Sequence, residues 1–356
     1  MQAILTPLLM LRIRLRQEIY PQKDFLVRTP LPIPPGKNLG SFDSRFDKEL
    51  QEQDIPLKRV RNTTRLVYST GIAHKLAAQR QVSISKMAET IAVAVSETTV
   101  NYQETQVFLP FLDQALQDVT VRATDAGLVQ LELSDRAIAA WLDLLAQHFP
   151  QLSQIKLSQT KVSQEKKGSK THEYGDADEA RRDTETFSPL CLTSPSSRSS
   201  PSRSPLLMPT EIFTLQYTHA RCCSLLRLAH QEGLVTLNQD QFPSDWRVTM
   251  PALIPWLTAE MRLLLSHPAE RQLISQLFVA LDAIPSLSSS RPDIILRLAQ
   301  EVSQAFQSFY SARPIWSSFK KSSELSQAQL GLVMATQRMI CLLAEGLLNI
   351  SIPLEL

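Results

Sequence analysis

The sequence predicts a multidomain protein: a small α+β domain followed by an all-α antiparallel helical bundle, joined by a disordered linker. Three observations predict it. Residues 119–133 alternate apolar and polar positions around Asp125–Ala126–Gly127, the pattern of a β-hairpin. Within residues 151–208, SQTKVSQEKKGSKTHEYGDADEARRDTETF is almost free of large apolar side chains, and the Ser/Pro/Arg-rich SPSSRSSPSRSP follows. Such a segment buries too little surface to offset its ordering entropy. Beyond residue 209, apolar residues recur every three or four positions through several long stretches.

In chain order, residues 1–59 are expected to be irregular, because charges at Arg12, Arg14 and Arg16 interrupt the apolar start and RTPLPIPPGKN follows. Residues 60–150 form the α+β domain. Ile72, Ala73, Leu76 and Ala77 lie at helical spacing, and Ser83 is placed to cap a helix running to about Ser96. The hairpin comes next, and a helix from Arg136 to His148 closes the unit. Residues 151–208 are the linker, and 209–356 the bundle. Its helices are expected at Pro209 to about Gln231, with Gly233 as the stop, at Leu253–Ser266, at Pro268–Ala283, from Ile294 to Phe309, and from Leu325 to Gly346.

Composition narrows the functional classes. The 356 residues are 43% apolar and 20% charged, with a net charge of only +2, so any basic surface must be local. The nine glycines spell neither G-x-G-x-x-G nor G-x-x-x-x-G-K-[ST], the loops that let backbone N–H groups approach phosphate. The four cysteines form no C-x-x-C pair. His219 and His230 share a helix but lie roughly 16 Å apart at 1.5 Å per residue, too far for one metal. No H-E-x-x-H or G-x-S-x-G occurs. No catalytic residue, metal or cofactor is expected. Without an uninterrupted apolar span or a signal peptide, the expected location is the cytoplasm, with no membrane partner.

What remains is basic residues beside aromatics, which suits a phosphate backbone with stacked bases. Lys58, Arg59, Arg61 and Arg65 precede Tyr68. Tyr217, Arg221 and Arg227 sit on one expected helix, and Phe306, Phe309, Tyr310 and Arg313 at the end of another. The same residues would serve equally as a solvated face or as packing between helices.

LQYTHARCCSLLRLA, residues 215–229, resembles the first helix of the DALR anticodon-binding domain of arginyl-tRNA synthetases, close to Q-Y-A-H-A-R-I-x-S-I-L-R. Gln216, Tyr217, His219, Ala220, Arg221, Ser224, Leu226 and Arg227 carry the match. HPAERQLISQLFVALDAIP, AQEVSQAFQSFYSARPI and LLNISIPLEL resemble later segments of that domain. Residues 60–150 are similar, more distantly, to the family's additional N-terminal domain: Tyr68 and Gly127–Leu133 have counterparts, whereas Arg65–Leu66–Val67 lacks the family's Phe and Gly. Neither the H-I-G-H motif nor a K-M-S-K loop of the catalytic domain occurs; Lys86–Met87–Ala88–Glu89 only mimics the second.

The resemblance implies a tRNA-binding protein without catalysis that takes the anticodon arm, of arginine tRNA by family, on residues 209–356. It implies RNA contacts at Tyr217, His219, Arg221, Arg227, Phe309, Tyr310 and Arg313, and, toward the tRNA elbow, at Arg65 and Tyr68. Two further roles stay open: an accessory subunit of a synthetase or tRNA-modifying enzyme, and arginine–tRNA ligation by the chain itself. The oligomeric state is not legible.

Overall fold

The computed structural model describes residues 6–19, 55–60, 65–97, 118–148, 209–238, 246–287, 291–312 and 323–356. The expected linker and Arg313 lie outside the described residues.

The N-terminal unit is a four-stranded antiparallel sheet with helices. Its strands are β1 (Leu57–Arg59), β2 (Val67–Thr70), β3 (Val119–Ala123) and β4 (Val129–Leu133), in the order β1-β2-β4-β3. In β4 the period of two is fully expressed: Val129, Leu131 and Leu133 are buried, and Gln130 and Glu132 are partly exposed. The β3–β4 turn needs a glycine. Gly127 adopts φ +72°, and a Cβ there would lie 2.1 Å from the side chain of Ile84.

Helix α2 (Ile72–Arg80) packs against α3 (Ile84–Glu97), which lies on this sheet against β3 and β4; the Lys86 N–H donates to Ser83 Oγ. Helix α4 (Asp135–Asp143) is capped by Ser134, whose Oγ accepts from the Ala137 N–H at 3.1 Å, and it continues as a π-helical turn to His148.

The start of the chain corrects an expectation. Pro7–Ile19 is a helix, α1, and lies against α3. Its arginines conceal it in the sequence. Arg14 is nevertheless buried and donates to the Val95 carbonyl at 2.8 Å, which satisfies a charge that sequence patterning treats as a solvent marker.

The C-terminal region contains α5 (Pro209–Gln231), α6 (Pro268–Ala283), α7 (Pro292–Ala312) and α8 (Ser323–Cys341), the last prolonged by a π-helical stretch to Leu348. Helix α8 packs against α5, α6 and α7, as well as against α4. With its extension it is long and apolar enough to cross a membrane, yet it is buried among these neighbours on nearly every side.

This region is less uniformly helical than expected. A short hairpin, β5 (Thr236–Leu237) with β6 (Val248–Met250), follows α5. The expected helix at 253–266 does not form. Its buried apolar residues are Ile254 with Trp256, and Leu263 with Leu265, a spacing of two that belongs to extended chain. Leu257 and Leu263 bridge across a turn at Thr258–Arg262. Trp256 and Ile254 press onto α8 at Gly331, where a Cβ would come within 2.6 Å of the indole.

The two units dock against each other. The Tyr68 hydroxyl donates to Asp282 Oδ2 at 2.7 Å, and the Leu8 N–H of α1 donates to Asp282 Oδ1 at 2.9 Å. Arg59 donates to the Ser275 carbonyl at 2.6 Å and to its Oγ at 2.7 Å. Helix α4 is tied at both ends. Asp135 accepts from the Leu263 N–H and pairs with Arg271, and Asp143 accepts from the Trp256 indole at 3.2 Å.

Enclosure of the Asp282 carboxyl group raises its pKa from 3.8 to about 6, although the Tyr68 and Leu8 donors and Arg59 pull it back. The native state therefore holds a proton that the unfolded chain has lost between those two values. The contribution is fully present below the unfolded pKa and fades as pH rises through about 6. His219, whose pKa is lowered by burial, works in the opposite sense on acidification. Comparing wild type with Asp282→Asn cancels that term. We expect the difference in urea midpoint between the two to grow in favour of wild type from pH 7 to pH 5; a pH-independent difference would contradict it.

Candidate nucleic-acid interface

Helix α5 divides its circumference among three tasks. Leu215, Cys222, Leu225, Leu226 and Ala229 face the core. Burial pushes both adjacent thiols upward, Cys223 to about 12, so neither is a nucleophile at neutral pH. A second face holds the chain's last residues as a strap. Gln216 donates to the Ser351 carbonyl at 3.0 Å, and Arg227 to the Leu354 carbonyl at 2.9 Å as well as to the Glu355 carboxylate.

His219 is the central fastener of the strap. Its Nδ1 lies 2.9 Å from the Pro353 carbonyl, and its Nε2 lies 3.0 Å from the Gln337 amide nitrogen. A carbonyl can only accept, so the proton belongs on Nδ1, and Nε2 accepts from Gln337. Burial holds this imidazole neutral.

The third face is open. Phe213 and Tyr217 are 57% and 44% exposed, and their rings stack with centroids 6.4 Å apart and planes at 26°. Ser224 and Leu228 continue this exposed stripe along the helix. At its edge Arg221 is half-buried. Its guanidinium carbon lies 4.8 Å above the centre of the Tyr310 ring of α7, and its Nη2 donates to the Tyr310 hydroxyl. Tyr310 in turn stacks on Phe306 at 6.3 Å.

Several sequence-predicted contacts are thereby corrected. Tyr68 has no exposed surface and is held by Asp282, so it cannot touch an RNA. His219 and Phe309 are buried, the first under the strap and the second in the bundle core. Tyr217 is exposed, Arg221 and Tyr310 are half-buried together, and Arg227 is shared with the strap. Arg65 is exposed, in an ion pair with Glu132 at 2.8 Å, and lies in the other unit. Phe213 escapes the sequence reading. Its signal is present as an aromatic one turn before Tyr217 on a face with no apolar partner.

Known proteins resemble this part of the chain in sequence. Residues 215–356 match the DALR anticodon binding domain. The DALR region is similar to arginine–tRNA ligases: 31% identical over 140 residues to that of Synechococcus sp. (strain JA-3-3Ab), 31% over 132 to that of Gloeobacter violaceus, and 30% over 128 to that of Pyrococcus furiosus. These alignments cover 39%, 36% and 35% of this chain but only 21%, 20% and 17% of those proteins, so the chain spans about a fifth of the length of the relatives it matches. No solved structure matches.

The placement separates two kinds of residue within one motif. His219→Ala is expected to lower stability by ~1–3 kcal/mol, because Gln337 and the Pro353 carbonyl lose a buried partner. Tyr217→Ala should stay within ~0.5 kcal/mol of wild type, as for an ordinary surface change. Chemical denaturation of both variants checks this; equal losses would contradict the assignment.

Proposed function

We propose that this chain is a non-catalytic tRNA-binding protein that takes the anticodon arm of arginine tRNA on the open face of α5. The observation that carries the proposal is the Phe213–Tyr217 stack, with Arg221 and Tyr310 beside it, on the first helix of a region matching an anticodon binding domain. Unstacked loop bases find a π-face on Phe213 and Tyr217, and Arg221 supplies a planar cation at the rim. The preference for arginine tRNA rests on the relatives being arginine–tRNA ligases. The non-catalytic reading rests on the sequence, which has no H-I-G-H and no K-M-S-K with which to grip ATP. Arginine–tRNA ligation by the chain itself is the alternative that an assay decides. A cytoplasmic location accompanies this reading.

An accessory role beside a synthetase or a tRNA-modifying enzyme is compatible with it. Met250, Leu253 and Met261 project apolar side chains to solvent around the 251–267 segment, a surface suited to a protein partner.

A filter-binding titration with a transcript of arginine tRNA tests the proposal. Tyr217→Ala should weaken binding by ~1–3 kcal/mol, the usual worth of one stacked base and roughly 5- to 150-fold in affinity, with unchanged melting temperature. With ATP and arginine added, no arginyl-tRNA should form. Full affinity in the Tyr217→Ala and Phe213→Ala variants, or turnover by rigorously pure protein, would overturn it.

A further inference from the structure

Docking of the two units creates a groove that neither has alone. It has a volume of about 920 Å3 and runs between β1 of the N-terminal unit and helices α6 and α7 of the bundle. Its polar lining is chiefly cationic and amide: Lys58 and Arg59 from β1, Arg271, Gln272 and Gln276 from α6, and Arg297 from α7. Among the described residues, two carboxylates, Asp282 and Glu301, line it.

Those two carboxylates have local partners. Asp282 receives Tyr68 and the Leu8 N–H. Glu301 stands 3.7 Å from Arg297 in an exposed pair of the kind that contributes little and is easily exchanged for a stronger anion. Arg59 and Arg271 are held in place by Ser275 and Asp135. Lys58 is exposed and forms no ion pair among the described residues. The groove thus offers two adjustable cations, Lys58 from β1 and Arg297 from α7, together with two fixed guanidiniums and two amides. Leu8, Val60, Pro268, Val279, Ala283 and Leu298 complete the lining and form its apolar part. The polar part of this lining suits a string of phosphates, which Arg, Lys and Gln side chains contact without reading bases.

We infer that the junction groove binds a phosphate chain, with the RNA backbone as its occupant and Lys58 and Arg297 as the principal contacts. In its RNA form this rests on the tRNA-binding reading above, and it adds a second, sequence-independent contact away from the α5 face. It also gives the docked arrangement a purpose, since one wall belongs to each unit.

The test uses the full chain and the variants Lys58→Ala, Arg297→Ala and their combination, with Arg59 and Arg271 left intact because they hold the junction. Two probes are used: the arginine tRNA transcript across a salt series, and tripolyphosphate followed by thermal shift. The double variant should melt within a degree or so of wild type and bind the transcript about tenfold more weakly at low salt. Its slope of log affinity against log salt should be shallower by roughly 1–2, near 0.9 for each phosphate that is no longer neutralised. Tripolyphosphate should raise the melting temperature of wild type and not of the double variant. A wild type stabilised by tripolyphosphate that fails to bind the transcript supports the groove with free polyphosphate as occupant, and sinks the tRNA reading instead. Transcript binding with an unchanged salt slope in the double variant, or a tripolyphosphate shift that the double variant retains, overturns the groove.

Discussion

The contact between Tyr68 and Asp282 is the constraint on which the arrangement of this chain depends. It joins the centre of the N-terminal sheet to α6 of the bundle, with α1 completing it through the Leu8 N–H. A charge-assisted bond from a phenol to a carboxylate is worth ~1.5–3 kcal/mol, but leaving either partner alone in that enclosure costs more than the bond supplies. Arg59 beside Ser275, and the two carboxylates of α4 against Arg271 and Trp256, extend the junction on either side. The sheet, α1, α4 and the bundle thereby become one platform rather than two beads on a string.

The same logic governs the conspicuous motif of α5. Tyr217, His219 and Arg221 are only two residues apart, yet they face solvent, the C-terminal strap and α7 respectively. A helix turns about 100° per residue, so His219 points about 200° away from both Tyr217 and Arg221, which lie only about 40° apart, one on the open face and the other at its edge. A motif that resembles an RNA-binding signature is therefore partly an assembly signature. His219 fixes the strap so that α5 presents its aromatic face, and Arg221 joins α5 to α7 at the edge of that face.

Much of the fold is legible in the sequence because it is local. The β3–β4 hairpin announces itself through period-two alternation around Gly127, and α6 through His267, Pro268 and Glu270, which form a capping box in the structure. The DALR resemblance is legible in residues 215–229. The segment at 253–266 misleads when its apolar content is weighed without its spacing, which is two rather than three or four. Helix α1 is hidden because Arg14 is satisfied by a carbonyl 81 residues away. The role of Tyr68 cannot be read at all. A tyrosine beside basic residues fits base stacking and fits a buried carboxylate equally well, and the carboxylate is 214 residues further on.

The most direct measurement is whether the two units hold together without a covalent connection. A protease site placed between residues 149 and 208 allows the purified chain to be cut into two pieces, whose association is followed by sedimentation velocity at micromolar concentration. The docked platform predicts a single species of the uncut mass, and its separation into two when Tyr68→Phe is combined with Asp282→Ala. Two independently sedimenting fragments from the wild-type sequence would contradict it.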